Sequence, residues 1–442
     1  MEWKKQYGAV FGIYMGIEPF LVITDPDMVQ ECFVKQAAIF QDRPIGFVDA
    51  EPFKSSLFQL NGSSWKNVRA ALNYAFSSNV IKELSSAAIL CSSRFVDAAA
   101  RTSRTNGHVE VFELAMGLSF DFIMKAVLAQ KASSQGDSSE PILQDLKQVC
   151  KDMENSAIEV AFTLPGVRAL LTWVYPLTRH ARAFKDVRNL VRSAVELHRS
   201  GDGAKECSIL QVLLDARAEG DVHHRPNKRH LDDRYIVSNG VIFLLAGFET
   251  TATTLSFLAY LLAKHPSEQD EIVKEFGELF PRKAAQDLSF DELRQLRRLD
   301  WTVLEGLRLY PPVPVSLARK CSRDTTVCGQ FIPAGVNILA APWLLHYDPD
   351  LWPEPEQFRP DRFAEENRER VRSGSYVPFG LGPRVCIGEK LAVLIVKSAL
   401  IQILQDFRLT LRGEEPSSVV ADHGFVLIPE GVKIRLEQRA TP

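Results

Sequence analysis

No charge of one sign dominates this chain of 442 residues: 52 lysines and arginines stand against 55 aspartates and glutamates, a formal net charge of −3. That balance gives no electrostatic reason to expect a nucleic-acid partner. Cysteine is scarce and scattered, at Cys32, Cys91, Cys150, Cys207, Cys321, Cys328 and Cys386. None falls in a CxxC or Cys/His zinc spacing and the count is odd, so free thiols in a reduced, cytosol-facing chain are expected. The first residues, Met1-Glu2-Trp3-Lys4-Lys5, carry neither the apolar stretch of a secretory signal nor an anchor helix. There is no internal repeat and no linker rich in Pro, Gly or Ser, so a single domain over 1–442 is expected.

Long uncharged runs are missing as well. Residues 236–263 are strongly apolar, but Glu249 interrupts them and leaves no run of the roughly eighteen residues a membrane span needs. Thr250, Thr251, Thr253 and Thr254 would also face lipid poorly. The stretch reads as a buried central helix.

What is present is the composition of a folded body, 46% hydrophobic and 24% charged. Residues 10–15 and 20–23 read as a hairpin, and Asp25-Pro26 as an N-cap with a first-turn proline. From about 63 to 265 the pattern is helical, broken by polar loops at 131–141 and 199–206 and by a basic stretch at 223–234. Tyr310-Pro311-Pro312 stops the next helix, and short strands are expected at 325–327, 331–332 and 336–339. Leu391, Ile395, Ala399 and Ile403 recur every four positions, predicting a helix after Cys386. Residues 407–411 and 425–428 read as terminal strands. The fold class is mainly α with small β-sheets.

The chemistry concentrates in Phe379-Gly380-Leu381-Gly382-Pro383-Arg384-Val385-Cys386-Ile387-Gly388. A cysteine thiolate that holds a haem iron needs its sulfur at the start of a helix, where unpaired N–H groups and the dipole favour negative charge. Gly382 and Gly388 supply a close approach of backbone to the macrocycle, Arg384 a cation for a propionate, and Phe379 an apolar shield for the sulfur. An inert buried cysteine is the bland alternative, but it explains none of the other fixed positions.

This segment resembles the haem-binding loop of the cytochromes P450, and further landmarks of that family follow in order. Ala246-Gly247-Phe248-Glu249-Thr250-Thr251 is similar to the oxygen-binding part of the central helix. Gly247 there leaves room for a diatomic ligand, Thr250 presents its hydroxyl to that ligand, and Glu249 relays protons. Glu305-Gly306-Leu307-Arg308 fits the E-x-x-R signature, a pattern common by chance whose weight comes from its place between the threonine helix and the cysteine loop. Arg362, in Pro360-Asp361-Arg362-Phe363, completes a structural cluster with Glu305 and Arg308. Trp65 and Arg69, four apart on one helical face, resemble the pair that meets a propionate. Arg319 is a further propionate candidate, and Arg43 a weaker one.

The resemblance implies the cytochrome P450 fold, with haem between the central helix and the Cys386 loop helix. It implies a monooxygenase with haem b as cofactor and Cys386 as axial iron ligand. NADPH would act indirectly through cytochrome P450 reductase, with cytochrome b5 as a second partner, on a lipophilic small-molecule substrate. The nearest likeness is to the microsomal clan of drug-metabolising and insect detoxification enzymes, which places the chain on the cytosolic face of the endoplasmic reticulum membrane. Microsomal members carry an anchor helix before the point where this chain begins, so the domain is expected to lack it. Residues 165–166 and 170–175 fall in the F–G region, either a patch that dips into a bilayer or a roof over the pocket. Residues 368–372, with Lys66 and Lys390, form either a basic docking face for the reductase or a solvated surface. Pocket walls are expected after Pro44, around 243–251, at 315–317 and at 424–425. Two other functions remain open: a peroxide isomerase or dehydratase on the same fold, and a non-catalytic haem-binding protein.

Overall fold

The computed structural model describes residues 2–15, 18–44, 51–135, 139–153, 173–200, 206–222, 231–315, 317–413, 420–423 and 425–439. Its longer helices, in chain order, are α1 (Gly62–Ala75), α2 (Ser78–Asn106), α3 (Val111–Leu128), α4 (Pro141–Met153) and α5 (Arg179–Ser200). They continue with α6 (Ile209–Val222), α7 (Asp233–Lys264), α8 (Pro266–Leu279), α9 (Arg297–Leu309) and α10 (Glu389–Asp406).

The 32-residue α7 is the axis of the molecule. Asp232 and Asp233 stand at its N-terminus, where the helix dipole favours negative charge. Pro266 ends it, because a residue before proline is pushed out of the helical region. Between these ends most side chains are buried, with α3 its most extensive neighbour. It is the one helix among the described residues long and apolar enough to cross a membrane, and its burial makes it the core helix the sequence suggested. Close approach is possible because glycines stand at the contacts. A Cβ on Gly240 would lie 2.7 Å from Val191 of α5, and one on Gly247 2.6 Å from Ile123 of α3.

The sheets are small and peripheral. Strands β1 (Val10–Met15) and β2 (Glu18–Ile23) form the expected antiparallel hairpin, and Asp25 Oδ1 caps the following turn by accepting the Met28 N–H at 2.9 Å. The hairpin joins β7 (Asn337–Ala340) and β4 (Leu317–Lys320) in a four-stranded sheet of order β1-β2-β7-β4, with β2 parallel to β7. Strands β5 (Thr325–Val327) and β6 (Gln330–Ile332) pair separately. A third sheet has order β3-β11-β8, from β3 (Val109–Glu110), β8 (Phe407–Leu411) and β11 (Lys433–Gln438), and β9 (Val420–His423) pairs with β10 (Leu427–Pro429). Strands β3, β4, β9 and β11 were not anticipated. The F–G residues 165–166 and 170–172, most of the basic stretch 223–234, and Gly424 lie outside the described residues.

Candidate active site: a cavity between the central helix and the Cys386 loop

A cavity of about 360 Å³ lies between α7 and the loop that ends at Cys386. Its walls are largely apolar, from Phe76, Phe122, Phe243, Leu307 and Phe379.

The loop is folded by its own backbone. The Gly380 N–H donates to the Val377 carbonyl at 3.0 Å, the Val385 N–H to Gly382 at 3.0 Å, and the Cys386 N–H to Phe379 at 2.9 Å. Gly388 then caps α10. The Cys386 Sγ has accessible surface because it opens on the cavity, deep inside the chain. Burial therefore pushes this thiol up, opposed by the backbone N–H groups of Gly388 and Glu389 and by the Arg69 charge. A Cβ on Gly388 would meet no atom closer than the Cys386 Sγ, at 4.0 Å, so this position leaves the backbone open toward the sulfur. Gly382 differs from expectation. At φ +72° its missing side chain makes room for the Phe33 carbonyl, so this glycine serves packing and not access to the cavity.

Four arginines cluster at this end of the cavity: Arg43, Arg69 and Arg384 line it, and Arg319 stands near Arg43 and Arg384 without lining it. Trp65 and Arg69 lie one turn apart on α1 and line the cavity, with Arg69 Nη1 donating to the Val385 carbonyl at 2.9 Å. The Arg384 guanidinium stacks 4.3 Å over the Trp65 ring. It donates to the carbonyls of Gln41 (2.6 Å) and Leu60 (2.7 Å) and to Asn61 Oδ1 (2.9 Å). Arg43 lies 4.4 Å over Phe58, and Arg319 5.1 Å over Phe33. Three buried donors in this group have no partner: Arg43 Nε, Arg319 Nη2 and Arg384 Nη1. Among the described residues the one carboxylate paired with any of the four is Asp42, 4.0 Å from Arg384. Desolvation, then mutual repulsion, lowers Arg384 to about 9; desolvation lowers Arg43 to about 10 and Arg319 well below its ordinary value. Uncompensated buried cations are costly, so this cluster calls for an anion.

Above the sulfur, α7 presents Ala246, Glu249 and Thr250 to the cavity. Thr250 Oγ1 donates to the Ala246 carbonyl at 2.6 Å, and Thr254 Oγ1 to the Thr250 carbonyl at 2.8 Å. Gly247 also lines the cavity, and a Cβ there would meet Ile123 Cδ1, another cavity-lining residue, at 2.6 Å.

A family model described as Cytochrome P450 matches residues 1–436. The chain belongs to the cytochrome P450 family. It is similar to cytochrome P450 3A29 of Sus scrofa, 31% identical over 409 residues, covering 91% of this chain and 79% of that one. Cytochrome P450 3A7 of Homo sapiens is 32% identical over 423 residues, with coverage of 92% and 80%. Putative cytochrome P450 CYP13A7 of Caenorhabditis elegans is 29% identical over 464 aligned positions, with 99% and 89%. This is therefore a monooxygenase of the cytochrome P450 type with a haem-iron cofactor.

The E-x-x-R cluster of this cytochrome P450 lies behind the Cys386 loop and does not line the cavity. Arg308 donates from Nε and Nη2 to the two oxygens of Glu305, both at 2.8 Å, with both side chains fully buried. Arg362 Nε reaches Glu305 Oε1 at 3.3 Å, and the Arg359 N–H donates to the same oxygen at 2.9 Å. A fourth member had no sequence signal. His346 Nε2 accepts the Val377 N–H at 2.9 Å, so its proton sits on Nδ1, which donates to the Arg308 carbonyl at 3.0 Å. Tyr376 OH donates to the Leu304 carbonyl at 2.9 Å. The base of the cysteine loop is thus tied twice to α9.

Proposed function

We propose that this chain is a haem-thiolate monooxygenase that inserts one oxygen atom from O₂ into a lipophilic small molecule, with NADPH electrons delivered by cytochrome P450 reductase and cytochrome b5 as a second donor. The observation that carries the proposal is one cavity bounded by the Cys386 Sγ on one side, Thr250 on the other, and buried arginines with unmatched donors at its edge. Haem b fits these residues. Its two propionates supply the anions that Arg43, Arg319 and Arg384 lack, with Trp65 and Arg69 beside them, and Phe379 shields the sulfur. A bound metal cation would stabilise the thiolate and so offset the desolvation that favours the Cys386 thiol, letting Cys386 serve as the iron ligand. When bound, the haem supplies oxygen activation and transfer.

The chain's own part is positioning and proton supply. The Thr250 hydroxyl, parked on the Ala246 carbonyl, turns to hold a proton over the cavity, and Glu249 brings protons to it. Glu305, Arg308 and Arg362 are structural, fixing α9 against the segment that leads to the cysteine loop. We place the protein on the cytosolic face of the endoplasmic reticulum membrane, as one catalytic domain. Exposed Trp173, within the F–G region, and Leu177, just after it, support contact with a bilayer. Lys66, Lys390, Arg368 and Arg370 are exposed and support a basic face for the reductase.

The test is the absorption spectrum of the reduced protein with and without carbon monoxide, on wild type and Cys386→Ala. A Soret band moved far to the red in the wild type alone supports thiolate ligation. The same spectrum from both proteins would remove Cys386 from the iron.

A further inference from the structure

The central helix carries a fully buried asparagine one turn before its cavity-facing residues Ile242 and Phe243, and the mechanism above does not use it. Asn239 Oδ1 accepts the Leu57 N–H at 2.7 Å. Its Nδ2 donates to the Ser55 carbonyl at 3.4 Å and to the Tyr235 carbonyl at 2.8 Å. The amide orientation is fixed by these partners, since its oxygen faces a donor and its nitrogen two acceptors. Next to it, Ser238 Oγ donates to Glu51 Oε2 at 2.8 Å, while Ser55 Oγ donates to Glu51 Oε1 at 2.5 Å. Two adjacent polar residues of α7 therefore hold residues 51–57 by backbone and carboxylate.

That segment is a wall of the cavity. Phe53, Leu57 and Phe58 line it, with Phe53 edge-on to Phe184 at 5.2 Å and Phe58 edge-on to Phe425 at 6.2 Å. We propose that Asn239 is a positioning residue for substrate: it registers the Phe53–Phe58 wall against α7, and so sets which part of a bound apolar molecule faces the oxidising centre. The proposal rests on the haem-thiolate reading. Leu57 and Ser55 meet the Asn239 amide by one backbone group each, so losing the amide leaves a buried N–H and a carbonyl of the wall unmatched. Imidazole alone offers little surface to apolar walls such as this one, whereas an aryl-bearing ligand presents rings that pack against them.

Two azole probes separate the roles, read by the Soret shift that nitrogen ligation gives the holoprotein. Imidazole reports the iron alone, and clotrimazole, an imidazole carrying three aryl rings, also reports the walls. In Asn239→Leu, imidazole affinity stays within about twofold of wild type and clotrimazole affinity falls about tenfold. Ser238→Ala, which loosens the wall through Glu51 while leaving Asn239 in place, gives a smaller loss of the same kind. It also speeds amide exchange in the peptide that contains Leu57. Equal weakening of both probes, or of neither, overturns the proposal. If Asn239→Leu does not fold, an unchanged probe ratio and unchanged exchange in Ser238→Ala overturn it. Absence of any azole shift in the wild type would instead sink the haem reading beneath it.

Discussion

His346 offers a test in which protonation reads out a buried connection. Its ring is held neutral between the Val377 N–H and the Arg308 carbonyl. Burial first, then the Arg308 charge, lowers its pKa from 6.5 to about 3. Below pH 6.5 the unfolded chain takes a proton at this site that the folded chain refuses, so stability falls as pH falls toward 3 and is fully present above 6.5. Between about pH 7 and pH 4.5 this one group withdraws about 2.5 kcal/mol. His346→Phe removes the titration but leaves the Val377 donor and Arg308 acceptor unmatched, costing about 2–6 kcal/mol at neutral pH. Urea unfolding followed by tryptophan fluorescence at both pH values measures the two effects. The variant is much weaker than wild type near pH 7, and the gap narrows by about 2.5 kcal/mol near pH 4.5. Parallel losses in the two proteins would refute the neutral, bridging histidine.

Motifs whose partners sit within a few residues, or whose chemistry demands several residue types together, could be read before any coordinates. Cys386 with Gly388 and Arg384 was such a case, as were the Glu305-Arg308 pair, one helical turn apart, and Trp65 with Arg69. The helices α7 and α10 were legible because burial on all sides, or a period near four, leaves its mark on the sequence. His346 and Asn239 were not legible, because a lone His or Asn carries no spacing signal. The partners of His346 are more than 30 residues away, and Leu57 lies 182 residues from Asn239. Gly382 was placed on the right segment but given the wrong neighbour, since a glycine reveals that something approaches and not what. Strand β11 did carry a signal, with Ile434 and Leu436 alternating against charged residues, whereas β4 is too short and too charged at its end to show one.

For Thr250→Ala, NADPH consumption continues while product formed per NADPH falls about tenfold or more, with hydrogen peroxide taking up the difference. Unchanged coupling would remove Thr250 from proton delivery. Glu305→Gln leaves Arg308 and Arg362 with a neutral partner in a fully buried site, a loss of about 3–5 kcal/mol that shows as haem-poor protein on purification. Normal haem content would mean that the cluster does not support the cysteine loop. The two glycines of that loop separate packing from cofactor approach. Gly382→Ala forces a side chain into left-handed backbone and against the Phe33 carbonyl, whose residue's ring also carries Arg319. Strain and overlap together cost about 3 kcal/mol or more, so this variant loses stability even without haem. Gly388→Ala sits at φ −88° and meets nothing closer than the Cys386 sulfur, so its haem-free form unfolds at the wild-type urea midpoint. Its methyl group instead occupies space beside the sulfur, and haem retention falls. Equal haem-free stability of Gly382→Ala and wild type would show that the Phe33 carbonyl yields, and that the loop is held by the sulfur's own ligand and not by its packing.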